Sequence, residues 1–65
     1  MSNQVFANST HKVTFNKEGN SYEVSPISDP EAVLGSIDLN SARAFERAVA
    51  HAMKLEYALA EKNAR

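Results

Sequence analysis

His11 and His51 are the only imidazoles in the chain, and there is no cysteine. A metal centre needs three or four ligands held close together, and two isolated histidines supply too few. Neither thiolate ligation nor a thiol nucleophile is available. Glu46 with His51, or Glu56 with a serine, offers acid/base partners on paper, but no spacing in the sequence brings either pair to a common point. Two glycines, Gly19 and Gly35, cannot build a phosphate-cradling loop of the known kinds. The expectation is therefore no enzyme, no metal and no cofactor, with His11 structural at a strand start and His51 solvated on a helix flank.

The carboxylates are more informative. Residues 1–17 carry Lys12 and Lys17 and no acid, whereas residues 18–42 carry Glu18, Glu23, Asp29, Glu31 and Asp38 and no Lys or Arg. From Arg43 onward the balance turns basic again, so a net charge of −1 hides an acidic middle. Such a block is either solvated surface or a contact for a basic partner. Glu56 joins the candidates because it interrupts an apolar helix face. It either reaches water beyond the sheet edge or contacts a partner. The expected partner-binding set is Glu18, Glu23, Asp29, Glu31, Asp38 and Glu56.

These residues need elements to hold them. Asn40 to Asn63 reads as one long amphipathic helix, expected over 41–63. At about 100° per residue, Phe45, Ala48, Val49, Ala52, Leu55 and Leu59 share one face. Arg43, Arg47, Lys54 and Glu61 lie opposite. Asn40 or Ser41 is the expected N-cap, and Asp38 suits the positive end of the helix dipole.

Upstream, His11 to Asn16 and Ser21 to Ser25 alternate apolar and polar residues with period two, the mark of half-buried strands. A loop of two or four residues around Glu18-Gly19 sets Phe15 opposite Tyr22 and Val13 opposite Val24. A three-residue loop mixes the faces and is rejected. A further strand is expected over 4–8, around Val5 and Phe6, with Asn8-Ser9-Thr10 as the turn. Residues 30–39 fit either one helical turn from Pro30 to Leu34 or a strand over 34–38, and the strand is preferred.

The fold expectation is a single α+β domain over 1–65. It is a small antiparallel β-meander of three or four strands packed on one C-terminal α-helix. Val13, Phe15, Tyr22, Val24, Ile37, Phe45, Val49 and Leu59 are the expected core. A chain of 65 residues has a thin core, so large substrates bind on it rather than in it.

With that order in place, Leu34-Gly35-Ser36-Ile37-Asp38 followed by Ala42-Arg43-Ala44-Phe45-Glu46-Arg47-Ala48 resembles the last strand and helix of the Apetala/ethylene-response DNA-binding domain. The arm-binding domain of tyrosine recombinases is similar in layout. The resemblance implies a sheet-plus-helix topology and, as an alternative function, a DNA-binding module. Those domains read the major groove with arginines and tryptophans on the sheet. This chain has no tryptophan and places Glu23 at the outward centre of a strand.

The functional expectation is a small non-enzymatic macromolecule-binding protein. In size and style it is similar to phage or mobile-element regulators and inhibitors, including anti-CRISPR proteins, that occupy a basic site on a host protein. Nucleic acid ranks behind protein as a partner. The N-terminal residues lack a basic region and an apolar run, and no stretch reaches transmembrane length, so no signal peptide, no membrane contact and a cytoplasmic location are expected. A homodimer through the alanine-rich helix is also expected, because a helix of about 35 Å overhangs strands of about 17 Å and carries Leu55, Tyr57 and Leu59 past them.

Overall fold

The computed structural model describes residues 2–64, the side chain of Ser2 excepted. Strands β1 (Ser2–Ala7), β2 (His11–Asn16), β3 (Ser21–Pro26) and β4 (Gly35–Asp38) precede a single helix, α1 (Ala44–Asn63). The strands pair antiparallel in sequence order, β1-β2-β3-β4, and α1 crosses one face of the sheet. This is the expected α+β meander, in its four-strand form.

The β2–β3 register is the one the alternation demands: Val13 pairs with Val24 and Phe15 with Tyr22. The loop is the four-residue one, Lys17 to Asn20, with Asn20 at φ 52°. On β1 the adjacent apolar pair Val5-Phe6 cannot both point inward, because successive strand residues face opposite ways. The chain resolves this with a bulge. Gln4 pairs with Thr14 but Phe6 pairs with Val13, so Val5 is the extra residue. The larger ring packs against the core, and Val5 stays 42% exposed.

The region 30–39 forms no helical turn. Turns at Pro26–Asp29 and Asp29–Ala32 lead to Leu34, whose amide donates to the Val24 carbonyl (2.8 Å), and β4 begins at the next residue.

The helix departs from expectation at its start. It begins at Ala44, and neither Asn40 nor Ser41 caps it. The reason is Asp38. Its carboxylate accepts from the Asn40 amide (2.8 Å) and its carbonyl from the Ser41 amide (2.9 Å), so it stabilises the turn before the helix. Arg43 then takes a left-handed conformation (φ 55°, ψ 41°) at the N-cap position, with no side-chain cap.

The core also differs. Val13, Val24, Ala48 and Ala52 are fully buried and Ala44 nearly so. Tyr22, Ile37, Phe6 and Leu55 pack around them, half-buried. Phe45 and Leu59 are 42% and 38% exposed, and Phe15 and Val49 are half-buried. Alanines at i, i+4 and i+8 form the line of closest approach to the sheet. Phe45 sits about 100° round from Ala44 and lays its ring edge-on against Tyr22 instead (5.7 Å). Leu59 lies beyond the end of the strands, beside Thr10, His11, Pro26 and Ser28.

His51 is not the solvated residue expected. An ideal β-carbon built on Gly35 would lie 2.6 Å from its ring, so the imidazole rests on bare backbone at the start of β4. Gly35→Ala is expected to destabilise the domain by about 1–2 kcal/mol through overpacking. In a His51→Ala background the same change should be nearly neutral. Urea melts of the four proteins measure this coupling. An equal cost in both backgrounds would show that the ring does not occupy that space.

Candidate functional site

The helix covers one side of the sheet, and the alternation of each strand assigns the other side. Gln4 on β1, Lys12, Thr14 and Asn16 on β2, Ser21, Glu23 and Ser25 on β3, and Ser36 and Asp38 on β4 form it. Across the middle runs the row Gln4–Thr14–Glu23–Ser36. Apart from Val5, exposed at the β1 bulge on the sheet edge, the residues of this surface are polar or small, as expected for an antiparallel sheet with one solvated face.

The acids divide between places. Glu23 is half-buried at the centre and accepts from Asn16 Nδ2 (3.3 Å). Asp38 pairs with Ser21, diagonal to Glu23, so the two carboxylates share this face at neighbouring rows. Glu18 is exposed in the β2–β3 loop, at the same end as Asp38. Asp29 and Glu31 are exposed in the β3–β4 connection, at the opposite end of the strands. Lys12, half-buried beside Ser25, is the one base of the face.

Glu56 is elsewhere. It projects from α1, on the covered side of the sheet, toward the β1–β2 turn. One carboxylate oxygen accepts from both the amide (2.9 Å) and the hydroxyl of Ser9. These two bonds, the hydroxyl first, hold its carboxyl below the usual carboxylate range against an opposing desolvation, and the His11 charge adds a lesser attraction. A lowered carboxyl favours the fold above the unfolded-state value, and that contribution is lost as pH falls through the folded-state value. Its neighbour Asn8 donates from Nδ2 to the Ala52 carbonyl (3.1 Å) and accepts from the amides of Thr10 (3.0 Å) and His11 (2.7 Å). The β1–β2 turn is thus a clasp on the helix, a role that the turn-forming residue types alone do not reveal.

The histidines do not meet. His11 is buried with Nδ1 2.7 Å from Thr10 Oγ1, while His51 lies on Gly35. No group of three potential metal ligands occurs among the described residues. Every buried side-chain polar atom among them has a partner. Several open hollows border the helix. One of about 420 Å³ lies under its C-terminal turns, lined by Thr10, His11, Pro26, Ser28, Leu55 and Leu59 among others. No helix among the described residues is long and apolar enough to cross a membrane. The chain matches no protein-family model, no curated protein and no solved structure.

Proposed function

We propose that this chain is a non-enzymatic binding protein whose open sheet face docks on a basic site of a partner protein. The observation that supports the reading is the layout of that face. It is a continuous polar surface on a rigid sheet, with Glu23 at its centre, Asp38 diagonal to it and Glu18 at its end. Four strands fix the backbone beneath it, so little ordering entropy is lost on contact. Thr14, Ser21 and Ser25 are buried between their larger neighbours, and Gln4, Asn16 and Ser36 around the acids are the side chains that can hydrogen-bond a partner. A regulator or inhibitor that works by occupancy, as small phage-encoded inhibitors do, needs no more than this.

The sheet-plus-helix DNA-binding domains that this topology resembles use a sheet to meet the duplex. Here Lys12 is the sole base on the face, and phosphate contacts depend on Lys and Arg. Glu18→Lys/Glu23→Lys tests the assignment. Complexes captured from the native host should weaken with salt, since exposed charges are screened beyond about 10 Å at 0.1 M. The reversal should lower the association rate by about tenfold or more and leave dissociation less affected. Asp29→Lys/Glu31→Lys, at the far end, should do much less. If the wild type binds a duplex oligonucleotide tightly and the reversal strengthens that binding, the face is a DNA surface instead.

A further inference from the structure

The side of α1 turned away from Ala44, Ala48 and Ala52 carries a second apolar feature. Ala50, Met53, Lys54, Tyr57, Ala58 and Glu61 line a shallow groove of about 590 Å³. Tyr57 is 79% exposed and Met53 54%. A single exposed apolar side chain is ordinary. Here two large ones stand next to alanines that leave room beside them.

We propose that this groove is filled by the same groove of a second copy, with the two helices antiparallel and a two-fold axis passing between Tyr57 and Ala58. In such a contact, the sequence numbers of facing residues have a constant sum. Setting Tyr57 over Ala58 of the other copy puts a large ring on a small residue, twice. The same register sets Lys54 against Glu61 of the other copy, also twice. Lys54 and Glu61 are seven residues apart, two turns along one side of the helix, about 10.5 Å. Charge and volume are therefore complementary in one orientation. A parallel pairing would set Lys54 on Lys54 and Glu61 on Glu61. The contact spans about two helical turns, far below the 1,200 Å² of a standard interface, so it belongs with weak associations, Kd on the order of 0.1–1 mM. It lies on the opposite side of the molecule from the open sheet face. Both surfaces can be engaged at once, and a local excess of chain at a partner would drive the pairing.

Sedimentation equilibrium from about 20 µM to 2 mM, bracketing that range, tests the pairing. The wild type is expected to shift reversibly from monomer to dimer. Lys54→Glu and Glu61→Lys should each weaken the dimer about tenfold or more, because symmetry turns two attractions into repulsions. The double variant Lys54→Glu/Glu61→Lys should restore it to within about threefold of wild type. Tyr57→Ala, at an exposed position, should keep the helical circular dichroism and lose the dimer. A wild type that stays monomeric at the highest concentration overturns the proposal and leaves the groove to a different occupant. A double variant as weak as the single ones, or a dimer indifferent to all four changes, overturns it as well. None of these outcomes bears on the sheet-face reading.

Discussion

Asn8→Ala is expected to lower stability by about 2–3 kcal/mol, although the residue belongs to a turn. Its amide nitrogen holds the Ala52 carbonyl, and its oxygen takes the amides of Thr10 and His11. A typical net hydrogen bond contributes about 0.5–1.5 kcal/mol, and an abandoned buried partner costs about 1–3 kcal/mol. The site is half-buried, so water replaces part of what is lost. A chain of this size has on the order of 3–10 kcal/mol in total. The melting temperature should fall by roughly 10–20 °C. Asn8→Asp keeps the acceptor and removes the donor to Ala52, and should lose a smaller share. Thermal melts followed by circular dichroism measure both. A midpoint within a degree or two of wild type for Asn8→Ala would show that the turn does not clasp the helix.

Val13→Ala is the second large effect. Val13 is fully buried and lies between Phe6 and Val24 in the sheet, in one core cluster with Ala48 and Ala52. Removing two methyl carbons forfeits about 1.6 kcal/mol of transfer free energy, and the cavity left behind raises the cost to about 2–3 kcal/mol. The site collapses poorly, because two of its neighbours are alanines with nothing to swing into the space. Phe45→Ala removes far more volume but should cost only about 1 kcal/mol, since the ring is 42% exposed and packs edge-on against Tyr22. Urea denaturation of both variants ranks them. A larger loss for Phe45→Ala would place the core further round the helix than the alanine line.

That ranking reverses what helix periodicity suggests, and the reason is specific. A wheel shows which residues share a face but not which of them the sheet touches. Ala44, Ala48 and Ala52 are contacted most closely because they are small, whereas hydrophobicity alone points to Phe45 and Leu59. Strand alternation was a better guide, because period two admits just two faces. Val13 opposite Val24 and Phe15 opposite Tyr22 followed from the requirement that apolar residues share one of them. The helix start was legible only in part. Asp38, Asn40 and Ser41 are all good capping types, and the choice between capping a helix and closing a turn depends on where β4 delivers the chain. Contacts between distant segments leave no periodic trace, so Ser9 on Glu56 and His51 on Gly35 were invisible. The acidic block was legible as composition, and the topology then divided it. Glu23 falls at the centre of the open face with Glu18 and Asp38 toward one end, while Asp29 and Glu31 are carried to the other end by the β3–β4 connection.

The open face as a protein-docking surface is the central claim, and site-specific photo-crosslinking in the native host tests it most directly. A photoreactive side chain at Ser36 sits on that face, in the row of Glu23 and on an edge strand. The same group at Lys17, in the exposed β2–β3 loop, samples its rim. The account predicts a discrete protein adduct from Ser36, identified by mass spectrometry as a protein with a positively charged surface. That adduct should be lost when Glu18→Lys/Glu23→Lys is added. Nucleic acid in the Ser36 adduct, or a protein adduct that survives the charge reversal undiminished, would contradict it.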